Sequence, residues 1–194
     1  MTKLNLPNKL TVARIVATPI FMLLLLLDFK GHYLLALITF IAASLTDMFD
    51  GRYARKHNLV TDFGKFLDPL ADKMLTTAAL LGFLARGIGT QIVWIVFIVL
   101  FREFLMSSLR LVAVSSGGKV IAANIFGKLK TISQMVAIIF ALFAEIVISV
   151  VKIPLLCSFL NILTDVFLWV SAALAVVSGV IYLLDNKTFV NPEK

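Results

Sequence analysis

An all-α membrane protein with six transmembrane helices and both termini in the cytoplasm is predicted by three observations on the sequence. Apolar residues make up 60% of the 194 and charged residues only 15%, whereas an ordinary soluble domain is nearer half apolar and a quarter charged. Six runs approach the roughly 20 mainly apolar residues that a bilayer-spanning helix needs. The basic residues fall in short segments between those runs, and far more fall on one side than on the other. The net charge of +7 therefore reads as a positive-inside pattern and an affinity for anionic lipid or phosphate, and no nucleic acid is expected. With no internal repeat, no low-complexity tract and no change of composition, residues 1–194 are expected to form a single membrane domain.

The six runs cover about 10–27, 33–55, 66–85, 91–114, 128–150 and 164–184. Pro7-Asn8 offers a turn and an N-cap for the first, Pro19 is a candidate kink within it, and Asp28 to His32 closes it. The second begins at Tyr33 and ends in the charged run Arg52 to His57. Thr61 to Gly64 reads as a short turn before the third, Arg86-Gly87-Ile88-Gly89 ends the third, and Ser115 to Lys119 ends the fourth. Val120 to Phe126 links the fourth to the fifth. Lys152-Ile153-Pro154 separates the fifth from an interfacial stretch that leads to the sixth. The lone Cys157 excludes an internal disulfide and a cysteine-based zinc site, and reads as apolar filler. The first apolar run has no small-residue cleavage site after it and is not expected to be a cleaved signal.

Counting Lys and Arg by side sets the orientation. Lys3, Lys9, Arg14, Arg52, Arg55, Lys56, Lys65, Lys119, Lys128, Lys130, Lys187 and Lys194 share one side, and Lys30, Arg86 and Lys152 the other. The first side is then cytoplasmic. Glu145 and Asp165 would lie at the opposite face, where one can reach water and the other can cap the sixth helix. His32 and His57 read as solvated loop residues.

Against this background the stretch from Asp47 to Asp72 stands out, because it holds Asp47, Asp50, Asp62, Asp68 and Asp72, five of the eleven acidic residues. Carboxylates are expensive in membrane segments and call for a function. Asp47, Asp50, Gly51 and Ala54 fall at i, i+3, i+4 and i+7, and Gly64, Asp68 and Asp72 at i, i+4 and i+8, each on one helix face. A short turn makes the two helices antiparallel neighbours, so the faces can meet. Four converging carboxylates repel one another unless hard cations join them, and an all-oxygen site suits two Mg²⁺ or Mn²⁺ ions that clamp a phosphoryl group. Gly51, Ala54 and Gly64 leave room on that face for a flat ligand or for close helix packing.

Asp47-x-x-Asp50-Gly51-x-x-Ala54-Arg55, eight residues, then Gly64-x-x-x-Asp68-x-x-x-Asp72 resembles the signature of the CDP-alcohol phosphotransferases at every fixed position. The six-span layout is also similar to that family. The resemblance implies that Asp47, Asp50, Asp68 and Asp72 hold two divalent cations, with Asp72 also the base, and that Gly51, Ala54, Arg55 and Gly64 border the cytidine nucleotide. It further implies transfer of a phosphatidyl or similar group from a CDP-linked donor to an alcohol with release of CMP, in a homodimer. Three flanking stretches resemble the bacterial branch that makes phosphatidylglycerol phosphate: Asn5 to Arg14, Phe101-Arg102-Glu103-Phe104 with Ser108-Leu109-Arg110, and Gly127-Lys128-Leu129-Lys130-Thr131. The donor would then be CDP-diacylglycerol and the acceptor sn-glycerol 3-phosphate.

Arg102 and Arg110 lie two helical turns apart, and with Lys128 and Lys130 they can line a pocket for the acceptor phosphate, for which Arg is well shaped. The bland alternative pairs Arg102 with Glu103 and leaves the lysines as positive-inside charges. Arg14 joins the acceptor-phosphate candidates and Thr11, one turn earlier, the CDP-lipid candidates. Other acceptors within the same family (phosphatidylglycerol, an inositol derivative, serine) are rival readings. A divalent-cation transporter is a rival of another class, and it requires a polar path to the outer face. A purely structural membrane protein leaves the aspartates unexplained.

Overall fold

A computed structural model describes the backbone at 6–56, 62–115 and 125–185. Within those ranges the side chains at 6–7, 47–56, 62–66, 68–69, 72, 110 and 113–115 lie outside the described residues. Six α-helices follow in order: α1 (Leu6–Leu26), α2 (His32–Lys56), α3 (Asp62–Arg86), α4 (Ile92–Ser115), α5 (Ile125–Val150) and α6 (Pro154–Asp185). No strand occurs among the described residues.

The helices alternate in direction. Arg86 at the end of α3 donates from Nε to the Leu25 carbonyl at the end of α1, 2.9 Å away. At the opposite end Lys73 of α3 meets Glu103 of α4. The bundle therefore has two ends, one collecting residues near Arg14, Lys73, Arg102 and Lys130, the other the turns at 27–31, 87–91 and 151–153. Helix α1 packs against both α2 and α3, α5 against α6 and α2, and α4 against α6, while the described parts of α2 and α3 meet only slightly.

Between the ends lies an apolar core built on Phe21, Leu25, Phe40, Phe83, Ile95, Val99, Ile138, Leu142 and Leu168, all fully or almost fully buried. Lipid is as apolar as these side chains, so close packing holds the helices together where water exclusion cannot. Small residues make that packing possible. Ala36, Ala79, Ala137, Ala141 and Ala175 are buried, and a Cβ on Gly82 would come within 2.3 Å of Leu25 Cδ2. Phe21 and Phe40 bring their ring centroids to 5.6 Å across the α1–α2 seam.

Among the described residues, four helices carry a stretch long and apolar enough to cross a membrane: Asn8–Leu26, Ile92–Leu109, Ile125–Val150 and Pro154–Asp185. The described side chains of α2 form a shorter apolar stretch, His32–Thr46, and the charged residues of the signature follow it in the sequence and continue into the start of α3. Three expectations from the sequence change. Helix α1 starts at Leu6, so Pro7 occupies its first turn, which suits a residue without an N–H. Asn8 is then an interior residue, 6% exposed, rather than the N-cap. Gly64 lies inside α3, not in the turn before it. Pro154 opens α6 instead of breaking the chain, and the expected interfacial stretch is the first part of a single 32-residue helix.

The end of α3 follows the reading at Arg86-Gly87-Ile88. Gly87 adopts φ +66°, and the Ile88 N–H donates to the Phe83 carbonyl at 2.9 Å while Gly87 N–H reaches Leu84 at 3.3 Å. This pair of bonds is a Schellman cap, and it buries Ile88 beside Phe83.

Candidate active site

The first end of the bundle encloses a cavity of about 510 Å³ whose wall draws on five helices. Helix α1 supplies Arg14, α2 Ser44, α3 Lys73 and Thr76, α4 Arg102, Glu103 and Met106, and α5 Gly127 to Gln134. Arg14 is 2% exposed, and the Thr18 hydroxyl donates to its carbonyl at 2.9 Å, one turn on.

Glu103 is the centre of the wall. Its Oε1 accepts from Arg102 Nη1 at 3.1 Å and from Lys130 Nζ, while Oε2 faces Lys73 Nζ at 3.5 Å. The other Arg102 branch continues to α6, where Nη2 donates to Ser178 Oγ at 2.8 Å. Gly179 leaves room for this, since a Cβ there would already touch Arg102 Cγ at 3.4 Å. Lys73 also donates to Ser107 Oγ, whose hydroxyl donates to the Glu103 carbonyl at 2.7 Å.

Charge is the second property of this cavity. Its described lining carries Arg14, Lys73, Arg102, Lys128 and Lys130 against Glu103 as the one carboxylate. Lys130 is 5% exposed, far too buried for an ordinary positive-inside charge. Arg102 Nε is buried and finds no acceptor among the described residues. A cavity with excess cations and a spare guanidinium donor suits a phosphate dianion.

The expected acceptor cluster is thus partly assembled: Arg102, Lys128, Lys130 and Arg14 share the cavity wall. The pairing of Arg102 with Glu103 also exists, so the two readings of Arg102 coexist. Arg110 lies on α4 with its side chain outside the described residues. Thr11 is buried one turn before Arg14 and does not reach the wall. Lys73 is not expected from the sequence, and Glu103 is expected only as a partner for Arg102. The signal for Glu103 was its position inside an apolar run. Lys73 was masked by its neighbour Asp72, since one step along a helix turns about 100° off the aspartate face.

Among the described residues no cluster of His, Cys, Asp and Glu could hold a metal, but the side chains of Asp47, Asp50, Gly51, Ala54, Arg55, Gly64, Asp68 and Asp72 lie outside them. Their backbone is helical throughout, in α2 for Asp47 to Arg55 and in α3 for Gly64 to Asp72, so the i, i+3 and i, i+4 spacings are helical spacings. Ser44, three residues before Asp47, and Lys73, next to Asp72, both line the cavity. An all-carboxylate donor set at these positions fits hard divalent cations.

The opposite end is built differently. A pocket of about 400 Å³ there is lined by Tyr33, Arg86, Thr90, Glu145, Asn161 and Asp165 among others. Arg86 Nη1 meets Asp28 at 2.6 Å, and Glu145 lines the pocket together with Tyr33. Asp165 accepts from both the Thr90 N–H and its hydroxyl, each at 2.6 Å. It therefore caps the turn before α4 rather than the start of α6. His32 is the first residue of α2, half-buried against Tyr33 with ring centroids 3.9 Å apart.

Comparison with known proteins identifies the family. The profile of the CDP-alcohol phosphatidyltransferase family matches residues 4–184. The chain belongs to that family. Among curated relatives, the CDP-diacylglycerol–glycerol-3-phosphate 3-phosphatidyltransferase of Bacillus subtilis (strain 168) is 42% identical over 194 aligned residues, 94% of this chain and 95% of its own. The protein of the same name from Rickettsia typhi is 36% identical over 189 residues, 95% of this chain and 98% of its own. A probable phosphatidylglycerophosphate synthase of Mycobacterium tuberculosis (strain ATCC 25618 / H37Rv) is 41% identical over 138 residues, 69% of this chain and 64% of its own.

Proposed function

We propose that this protein transfers the phosphatidyl group of CDP-diacylglycerol to sn-glycerol 3-phosphate, giving phosphatidylglycerol phosphate and CMP. The observation that carries the acceptor assignment is the cavity beside the aspartate stretch, whose described lining sets five cations against one carboxylate. A neutral acceptor such as inositol or serine has no use for that surplus. Relatives named for glycerol 3-phosphate, alike over nearly the whole chain, support the same choice.

In the proposed reaction the acceptor phosphate rests against Arg102, Lys130, Lys128, Arg14 and Arg110, leaving its terminal hydroxyl toward α3. That oxygen forms a bond to the phosphorus bearing the diacylglycerol as the pyrophosphate bond to CMP breaks, and Asp72 takes the hydroxyl proton. Gly51, Ala54, Arg55 and Gly64 border the cytidine nucleotide, with Thr11 behind them. Asp47, Asp50, Asp68 and Asp72 would hold two divalent cations, Mg²⁺ or Mn²⁺, which neutralise the pyrophosphate charge and stabilise the leaving CMP when bound. A carboxylate in such company is a weak base and accepts the proton late, in a loose transition state.

The same proposal sets six spans in the cytoplasmic membrane, with both termini and the cavity facing the cytoplasm, as the twelve-to-three distribution of basic residues requires. The lipid donor enters sideways from the inner leaflet and the acceptor from the cytoplasm. The working unit is a homodimer.

Purified protein offered CDP-diacylglycerol with each candidate acceptor in turn tests the assignment. CMP release that depends on glycerol 3-phosphate is expected. Release with phosphatidylglycerol, inositol or serine but not glycerol 3-phosphate would end it.

A further inference from the structure

Five cations crowd the cavity, yet only one described carboxylate faces them. Glu103 touches a cation from each of three helices: Arg102 of its own α4, Lys130 of α5 and Lys73 of α3. Through Arg102 it reaches α6 at Ser178. Lysine and arginine stems are flexible, and like charges this close repel. Left to themselves these side chains would spread toward water and lose any common geometry. The shared carboxylate holds them together while leaving the group with a positive surplus.

We propose that Glu103 is the positioning residue of the acceptor site: its carboxylate sets Lys73, Arg102 and Lys130 as one phosphate-binding array and fastens that array to the helix carrying Asp68 and Asp72. The fastening runs through Lys73, which follows Asp72 directly on α3 and is gripped from α4 by both Glu103 and Ser107. The distance between acceptor phosphate and proposed base is thereby set by a side-chain contact rather than by the membrane packing of α3 and α4 alone. The proposal rests on the acceptor reading above and adds Lys73 to the phosphate array.

Charge and position make opposite demands, which sharpens the test. Removing the carboxylate adds one net positive charge to the cavity, and by field alone an anionic acceptor would bind more tightly. If position matters, it binds more weakly. Full-length Glu103→Gln, purified in detergent with lipid, is assayed for CMP release while each substrate is varied. The KM for glycerol 3-phosphate is expected to rise about tenfold, the loss expected from one charge-assisted contact, while the KM for CDP-diacylglycerol stays within about twofold of wild type. Inhibition by inorganic phosphate should weaken in parallel. A lower or unchanged KM for glycerol 3-phosphate, or a matching rise in both KM values, overturns the proposal. Should Glu103→Gln fail to fold, Glu103→Asp keeps the charge and loses the reach. A rise confined to the acceptor then supports the positioning role, and a normal KM refutes it. A wild-type enzyme that ignores glycerol 3-phosphate would sink the acceptor reading alone, and the same split is then measured with the alcohol it does use.

Discussion

The two ends of the bundle use charge for different purposes. At the second end the described acids sit beside specific groups: Asp28 pairs with Arg86, Asp165 accepts from Thr90, and Glu145 lines the pocket with Tyr33. These contacts tie turns to helices, and acids and bases nearly cancel. At the first end, among the described residues that line the cavity, five cations face Glu103, which is shared among three of them. Balanced pairs hold a fold together, whereas a maintained surplus leaves room for a charged ligand. Among the described residues the core between the ends, from Phe21 to Leu142, is apolar and shows no polar path from one to the other. A cation transporter would need such a path, and the comparison weighs against that rival.

The largest effect should come from the aspartates. Asp72→Asn is expected to lower turnover by about 10²–10⁴-fold, the usual contribution of a general base, while CDP-diacylglycerol still binds. Near-normal turnover would contradict the base assignment. Chelating divalent cations should abolish CMP release, and Mg²⁺ or Mn²⁺ should restore it. Activity that survives chelation would remove the metals from the proposal. Next in size, Arg110→Ala should raise the KM for glycerol 3-phosphate about tenfold and affect CDP-diacylglycerol far less. Equal loss for both substrates would argue against a separate acceptor pocket.

Changes at the second end should alter stability and spare substrate selectivity. Arg86→Ala removes the partner of Asp28 and of the Leu25 carbonyl, and a loss of about 1–3 kcal/mol is expected, read as a lower Tm in detergent with both KM values unchanged. Asp165→Asn keeps one acceptor for Thr90 and should cost about 0.5–1.5 kcal/mol, again without a shift in either KM. A selective KM change from either variant would break the division of labour between the ends.

Much of this architecture could be read from the sequence. Helices α2 and α4 begin within a residue of the predicted 33 and 91, because the glycine turns at Gly31 and Gly89 precede them. Helix α6 was misjudged by ten residues at its start, since proline breaks a helix interior but is accommodated in the first turn. In the site, Arg102 and Lys130 were visible as cations in unusual places. Their meeting at Glu103 was not, because the Lys130–Glu103 and Lys73–Glu103 contacts join residues 27 and 30 positions apart on different helices. Periodicity describes one helix at a time, and a carboxylate shared by three elements is a property of their packing.

The length of α6 has a mechanical consequence. Its 32 residues extend about 48 Å at 1.5 Å per residue, against roughly 31 Å for the 21 residues of α1, and the hydrocarbon core is about 30 Å thick. Beyond the belt formed by Arg86, Thr90 and Asp165, the first turns of α6 remain apolar and exposed at Leu155, Phe159 and Ile162. A bilayer of that thickness leaves part of an upright α6 outside the hydrocarbon. The surrounding lipid must therefore thicken along the α5–α6 flank, or α6 must tilt, at a cost of fractions of a kcal/mol per Å of mismatch. Bilayer thickness thus becomes a variable that acts on this protein unevenly, from one flank to the other.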